Sequence, residues 1–172
     1  MSNPVRKVTI LTTGGTIEKT YDEIEGSLFN RETVIRHRIE DGLRHPHTKI
    51  EVKSLMAKDS LEMDEQDRII ILQAIKKFQG YGNPIVILHG TDTMQFTAEL
   101  VESKIGEVKV PIIFTGAMKP LGFIDSDAVQ NVTEAMFAAQ FVKPAVYISF
   151  HNTLFNVPGV RKNKKERTFE TF

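Results

Sequence analysis

Short apolar runs recur along the chain and limit the folds that it can adopt. The clearest are Pro84–Leu88 and Pro111–Phe114, in which all residues are apolar. Continuous runs of this kind are typical of strands covered on both faces of a parallel sheet. Longer amphipathic segments separate the runs, and this alternation predicts an α/β fold with three αβα layers and a mainly parallel, flavodoxin-like or Rossmann-like sheet. Further strands are predicted at Val8–Leu11, Ile50–Met56 and Ala145–Phe150.

Apolar residues spaced three and four positions apart predict helices between these strands. The predicted helices are Glu32–Glu40, which is weak, Glu65–Gln79, Met94–Ile105, and one that starts at Ser126 or Asp127 and ends before Pro144. Asp64 is the expected N-cap of Glu65–Gln79, because its carboxylate can accept hydrogen bonds from the first free N–H groups.

Two segments carry no clear periodic pattern. The polar stretch Glu18–Asn30 is expected to be a mobile loop, and residues 151–172 are expected to form an irregular or hairpin-like tail. A length of 172 residues fits one domain, so we expect a single domain over residues 1–172.

Charge and cysteine content narrow the function classes. Lysine plus arginine and aspartate plus glutamate both number 22, so the formal net charge is zero. That balance disfavours nucleic-acid and membrane-surface binding and is compatible with self-association. The chain has no cysteine, which excludes disulfides and cysteine-based metal sites. With no leader-like apolar segment and no run of about 18 apolar residues, the expected location is the cytoplasm.

Glycine and threonine follow three predicted strands, in the segments Thr12–Thr16, His89–Thr93 and Thr115–Gly116. Ligands of open parallel sheets bind outside the carboxyl ends of the strands, so the three segments would meet at one rim. Any one of them could be turn or capping chemistry alone. A phosphate-binding loop is disfavoured, because the Lys-Ser/Thr pair and the G-x-G-x-x-G spacing are both missing.

A threonine nucleophile is the stronger alternative. A free hydroxyl reacts poorly and needs a neighbouring base. Tyr21, Asp92 or a lysine from the tail could supply one, and the backbone N–H groups of the glycine turns could stabilise an oxyanion. This chemistry needs neither a metal nor an organic cofactor, and we expect none.

Four motifs resemble those of the L-asparaginase/glutaminase family, in its larger N-terminal domain. Two are long: Thr13-Gly14-Gly15-Thr16-Ile17 and His89-Gly90-Thr91-Asp92-Thr93-Met94. The supporting two are Thr115-Gly116-Ala117-Met118-Lys119-Pro120 and Ser126-Asp127-Ala128-Val129-Gln130-Asn131. The resemblance runs from about Val8 to about Lys162 in the family's order.

The resemblance implies a role for each matching residue. Thr16 would be the nucleophile, on a loop that family members close over the substrate, and Tyr21 would activate it. Thr91, paired with a lysine, would position the attack or a water molecule. Lys162 aligns best as that lysine, and a shift of one or two residues would give Lys164 instead.

The substrate would be a small amino acid amide. Asp92 would bind its α-ammonium group by charge-assisted hydrogen bonds, and Ser60 lies where the family holds the α-carboxylate. The substrate-binding set implied in this way is Gly15, Ser60, Gly90, Asp92 and Thr115. The implied activity is hydrolysis of the side-chain amide of asparagine or a related amide, with release of ammonia. The implied assembly is a homodimer or larger homo-oligomer.

The sequence departs from the family in two ways. It stops at Phe172, where usual members continue into a smaller second domain, and Leu61 stands at a position that is often polar and touches the substrate's amino group. Both changes remove hydrogen-bond partners of a free amino acid. The alternative function is therefore an amino-acid-binding module with weak or no turnover. Outside these motifs, His89 is expected to be structural, Asp127 to cap a helix, and His151 to approach the site without a defined role.

Overall fold

A computed structural model describes residues 5–30, 37–40 and 42–172. The β-strands are β1 Arg6–Gly14, β2 Lys19–Asp22, β3 Ser27–Asn30, β4 Thr48–Lys58, β5 Ile85–Leu88, β6 Ile112–Thr115, β7 Val146–Phe150, β8 Thr153–Asn156, β9 Val160–Asn163 and β10 Thr168–Thr171. The α-helices with defined bounds are α1 Glu65–Gln79, α2 Met94–Lys104 and α3 Ala128–Ala138. Short 3₁₀ turns lie at Thr16–Glu18 and Ser60–Glu62.

The main sheet has six strands in the order β4-β1-β5-β6-β7-β8. All neighbouring pairs are parallel except β7 and β8, which are antiparallel. The predicted α/β fold with a mainly parallel sheet is thereby confirmed. Because parallel strands share a direction, the loops after β1, β5 and β6 leave the sheet at one edge.

Helices cover both faces of this sheet. Neighbouring residues of a strand point to opposite faces, so Leu11 packs in the layer of α1 and α2, and Ile10 packs in the layer of α3. Both side chains are fully buried. The continuous apolar runs arise because each of these strands is covered on both sides.

Helix α1 begins as the sequence predicts. The Asp64 carboxylate accepts a hydrogen bond from the Asp67 N–H at 2.9 Å, and the Asp67 carboxylate accepts one from the Asp64 N–H at 3.1 Å. This reciprocal capping box satisfies two N–H groups that the helix itself leaves free. Of the weak helix predicted over Glu32–Glu40, residues 37–40 are helical, and residues 31–36 lie outside the described residues.

The prediction of a loop over Glu18–Asn30 is wrong. β2 and β3 pair there as an antiparallel hairpin with Tyr21 opposite Leu28. The turn is closed by Asp22, whose carboxylate accepts hydrogen bonds from the N–H groups of Ile24, at 2.9 Å, and Glu25, at 3.2 Å. Aspartate often closes turns in this way, and the high polarity of the stretch concealed a hairpin.

The tail is more regular than predicted. β9 and β10 form the expected hairpin, with Phe169 opposite Lys162. β8 is instead an edge strand of the main sheet, so the irregular part of the prediction is wrong. β8 has only four residues and follows two residues of positive φ, His151 at 46° and Asn152 at 61°. Its stability comes from pairing with β7, which a local pattern cannot reveal. Within the described ranges, no helix has the length and apolar character of a membrane span.

Candidate active site

The loops that follow β1 and β5 touch through two glycines. A Cβ on Gly15 would lie 2.5 Å from the Gly90 N and would also overlap the Gly90 Cα, so only a residue without a side chain fits there. Gly15 has φ 83° and ψ −177°, a backbone region that is nearly exclusive to glycine. Thr16 and Thr91 directly follow these glycines. The contact therefore brings the two threonine loops together at one rim of the sheet.

A lysine from β9 joins the second of these loops. The Lys162 Nζ donates hydrogen bonds to the Thr91 Oγ1 at 2.7 Å and to the Asp92 Oδ1 at 3.0 Å. Thr91 is buried, and only 14% of the Lys162 side chain is exposed. Charge-assisted bonds of this length fix both partners firmly. Lys164 lies in the exposed turn between β9 and β10, so Lys162 is the lysine that the structure places beside Thr91.

Ser60 lies against the same glycine contact. A Cβ on Gly90 would be 2.6 Å from the Ser60 Oγ, and the Thr93 hydroxyl donates to the Ser60 carbonyl at 2.8 Å. The Asp59 carboxylate accepts from the Leu61 N–H and so caps the turn that begins at Ser60. Ser60 is buried, and its Oγ has no hydrogen-bond partner within the described part of the chain. Buried hydroxyls are normally paired, so the Ser60 hydroxyl is an exception beside the glycine contact.

The hairpin after Thr16 is tied to the Ser60 turn by an ion pair. The Lys19 Nζ lies 2.6 Å from the Asp59 Oδ2. The hydrogen bond from Lys19 lowers the pKa of Asp59, the Leu61 N–H and the charge of Lys162 lower it further, and burial opposes them. Asp59 is therefore a carboxylate that holds the start of β2 beside the site.

Two predicted residues present no side chain to this cluster. Tyr21 is 63% exposed, and its hydroxyl lies 4.0 Å from the position that a Cβ would take on Gly26, at the tip of the hairpin. The Thr115 hydroxyl is fully buried and donates to the Ser149 carbonyl at 2.8 Å. The other predicted residues, Gly15, Thr16, Ser60, Gly90, Thr91, Asp92 and Lys162, lie at the rim formed by the touching loops.

His89 lies inside the protein directly before this rim. Its Nδ1 is 2.8 Å from the Gly90 carbonyl, which can only accept, so Nδ1 carries the proton and Nε2 accepts from the Thr97 hydroxyl at 2.9 Å. Burial lowers the pKa of His89 to about 4. The ring is therefore neutral at pH 7 and acts as a structural support beneath Gly90, in line with the prediction.

Asp127 has partners that sequence reasoning missed. Its carboxylate accepts hydrogen bonds from the Met118 N–H at 3.0 Å and from the Lys119 N–H at 3.1 Å instead of capping α3, which the Ser126 hydroxyl does through the Ala128 N–H. The sequence offers Ser126 or Asp127 as the cap of this helix. Asp127 occupies the N-cap position, but its carboxylate makes no capping hydrogen bond because it is engaged by the preceding turn. Its spacing of four residues from Asn131, which donates to it at 3.0 Å, was the available signal.

His151 also contacts Asp127, with 2.9 Å between Nε2 and Oδ2. Burial would raise the pKa of Asp127, but the hydrogen bonds from Met118 and His151 outweigh it and lower that pKa. Asp127 is thus an ionised acceptor, and the His151 Nε2 must donate to it. No group of three His, Cys, Asp or Glu side chains suited to a metal ion occurs in the described ranges.

The chain is similar to a protein family and to proteins whose names are established. The family model described as "Asparaginase, N-terminal" matches residues 7–172. An L-asparaginase of Thermococcus kodakarensis is 31% identical over 163 residues, which is 92% of this chain and 47% of that protein. A 60 kDa lysophospholipase of Mus musculus is 33% identical over 128 residues, 73% of this chain and 22% of that protein.

The fold agrees with these relatives. The structure of the thermostable L-asparaginase from Thermococcus kodakarensis superposes with a TM-score of 0.85 at 27% identity, over 96% of this chain and 51% of that one. The chain therefore spans about half the length of the asparaginase that it matches.

Proposed function

Because the chain belongs to the asparaginase family, we propose that it is an amidohydrolase that cleaves the side-chain amide of asparagine or a related small amide. The observation that carries the proposal is the hydrogen-bonded group of Lys162, Thr91 and Asp92, which lies beside the Gly15–Gly90 contact. Such an arrangement places a hydroxyl and an ion pair beside the loop that carries a second hydroxyl, that of Thr16, and acyl transfer needs an activated hydroxyl of this kind.

In this proposal Thr16 is the nucleophile. The Thr16 Oγ1 attacks the amide carbon, and the hydroxyl proton passes to the leaving nitrogen. The C–N bond breaks, ammonia departs, and the acyl group remains as an ester on Thr16. Water then cleaves the ester to release the acid and restore the hydroxyl. Thr91 accepts from Lys162, which is itself paired with Asp92, and orients the attacking group. Backbone N–H groups of these turns stabilise the oxyanion, except that of Gly15, which donates to the Lys58 carbonyl at 2.9 Å. Tyr21 activates Thr16 only after the β2–β3 hairpin has moved towards the rim, since Tyr21 now faces solvent.

The substrate's charged ends define the remaining roles. The Asp92 carboxylate, which already accepts from Lys162, offers its second oxygen to an α-ammonium group. The unpaired Ser60 hydroxyl donates to the α-carboxylate. The backbones of Gly15 and Gly90 touch between these residues and so hold Thr16, Thr91 and Ser60 close to the substrate. Thr115 contributes through its backbone alone, because its hydroxyl is committed to Ser149.

The test is ammonia release from asparagine, glutamine and small amides. Thr16→Ala and Lys162→Met are expected to lower the rate by at least about 10³-fold, as removal of a nucleophile or its partners does in other hydrolases. Lys164→Met removes an equal charge from the same hairpin without touching Thr91, and it should leave the rate unchanged. Equal rates for the wild-type chain and Thr16→Ala would remove Thr16 as the nucleophile.

A second candidate function is an amino-acid-binding module without turnover. It is favoured by Leu61, which is 72% exposed beside Ser60 and offers a substrate amino group no polar partner, and by the exposure of Tyr21. Calorimetry with aspartate and asparagine separates the two functions. Tight binding with no ammonia release selects the module, whereas turnover selects the enzyme.

The proposal extends to three properties of the whole protein. We propose that residues 1–172 form a single domain and that the protein has a cytoplasmic location and assembles as a homodimer or larger homo-oligomer, as expected from the sequence. A monomer in light scattering at assay concentration would contradict the last of these.

A further inference from the structure

One ionised carboxylate holds the turn beside Thr91. Asp127 accepts from the Met118 N–H at 3.0 Å, and the sulfur of Met118 accepts a long contact from the Thr91 hydroxyl at 3.9 Å. Asn131 is fully buried and donates to both Asp127 and the Gly116 carbonyl, each at 3.0 Å. This turn therefore lies beside Thr91 through Met118, and its position depends on Asp127.

The His151 side chain connects that carboxylate to the hairpin that carries Lys162. Its Nε2 donates to Asp127 at 2.9 Å, and its Nδ1 lies 3.1 Å from the Thr168 hydroxyl. Its backbone N–H donates to the Asn131 Oδ1 at 3.1 Å. Backbone and ring are thus held at three points, which leaves the imidazole one orientation.

Thr168 opens β10 and lies next to the residue that faces Lys162 across the hairpin. Phe169 is the cross-strand partner of Lys162, and its ring packs edge-on against Phe150 with 5.0 Å between centroids. That apolar contact holds the hairpin against β7 and is not directional. The hydrogen bond between the Thr168 hydroxyl and the His151 Nδ1 is directional, so it restricts where along the sheet the hairpin lies.

We infer that His151 is a positioning residue that sets the distance between the Lys162 amine and the Thr91 hydroxyl. His151 bonds Thr168 of the hairpin that carries Lys162, and it also bonds the Asp127 carboxylate. Asp127 in turn holds the Met118 turn that lies beside Thr91. The inference rests on the function proposed above, in which the Lys162–Thr91 contact orients the reaction. His151 itself touches neither of these two groups.

The first test compares paired variants at two ends of the link. Thr168→Val removes the hydroxyl at nearly constant volume, and Thr168→Ser keeps it. His151→Leu removes both ring nitrogens, and His151→Gln keeps a donor for Asp127. Thr168→Val and His151→Leu are expected to lower kcat by about 10- to 100-fold, the effect of a misplacement of roughly 1 Å. KM should change less than kcat, since, among the described residues, the Ser60 turn makes no hydrogen bond to the β9–β10 hairpin and Asp92 loses only its bond with Lys162.

The possible results distinguish a positioning role of the His151–Thr168 hydrogen bond from a role in packing alone. Loss of kcat in Thr168→Val and His151→Leu, with recovery in Thr168→Ser and His151→Gln, supports the inference. Unchanged kcat in Thr168→Val overturns it. Equal losses in Thr168→Val and Thr168→Ser also overturn it, because they would follow packing and not the hydroxyl.

A second readout does not depend on activity. The ¹⁵N-bound protons of a lysine ammonium are visible by NMR when hydrogen bonds slow their exchange, so Lys162 should give a signal that is absent from Lys162→Met. That signal should be lost in Thr168→Val and kept in Thr168→Ser, while the signal of Lys19, bonded to Asp59, stays in both. If the wild-type chain releases no ammonia, the proposed function fails, and this signal alone decides the positioning role. A Lys162 signal that survives in both Thr168→Val and His151→Leu would overturn that role.

Discussion

Replacement of Gly15 by alanine tests the contact on which the site is built. Two costs add at this position. The backbone region at φ 83° and ψ −177° costs a residue with a Cβ about 1–3 kcal/mol. The new methyl also meets the Gly90 backbone, which cannot move aside as a flexible side chain would, and such overpacking costs about 1–3 kcal/mol more. We expect Gly15→Ala to lower the free energy of unfolding by about 4 kcal/mol.

Two other glycines serve as matched controls. Gly106 has φ 79° but nothing within 4 Å of the position that a methyl group would take, so Gly106→Ala isolates the backbone cost, about 1–2 kcal/mol. Gly122 is exposed, with neither positive φ nor a neighbour within 4 Å, and its alanine variant should stay within about 0.5 kcal/mol of wild type.

The assay is equilibrium urea unfolding, with midpoints compared at unchanged m. A Gly15→Ala variant no less stable than Gly106→Ala would show that the two loops do not touch. The reasoning about the rim would then be refuted together with the proposed site.

Three further changes have expected outcomes of their own. The buried ring of His89 should show no titration by NMR above pH 5. The free energy of unfolding should fall by up to about 3 kcal/mol as the pH drops from 6.5 to 4, because the unfolded chain binds the His89 proton at a higher pH than the folded chain does. A ring that titrates near pH 6.5 would contradict this. The hydrogen bond from Lys58 lowers the pKa of Asp67, so its stabilisation is present above the usual aspartate pKa and lost as the pH falls through the lowered value. Asp67→Asn should therefore lose less stability between pH 7 and pH 3 than wild type in urea unfolding, and an identical acid dependence would count against the ion pair. Leu61→Gln should leave the melting temperature unchanged, since Leu61 is 72% exposed, and should tighten aspartate binding in calorimetry; an unchanged affinity would place Leu61 outside the substrate pocket.

The central strands were predictable because a strand that is buried on both faces requires an apolar residue at every position. β5 and β6 coincide with the apolar cores of Pro84–Leu88 and Pro111–Phe114. The capping box of α1 was likewise visible locally in Asp64. β8 and the β2–β3 hairpin were not, because their stability depends on pairing partners and on a turn closed by one aspartate.

The residues of the candidate site also differ in whether a local sequence pattern could predict them. Residues inside the glycine-threonine motifs could be found from the sequence, since the ends of parallel strands must meet at one edge. The link from Asp127 to His151 joins residues 24 positions apart, and that from His151 to Thr168 joins residues 17 apart. No local pattern encodes these pairs; they arise only when β7, α3 and the tail hairpin pack together. The position of the Tyr21 hydroxyl also depends on the hairpin as a whole.

The most direct measurement of the proposed chemistry is acid quenching during turnover of asparagine, followed by mass spectrometry of the digested chain. If the two touching loops form an amide-hydrolysing site with Thr16 as nucleophile, an aspartyl ester will be found on the peptide that contains Thr16. It will be absent from Thr16→Ala. An ester on the peptide that contains Thr91, or turnover by Thr16→Ala at the wild-type rate, would contradict the account.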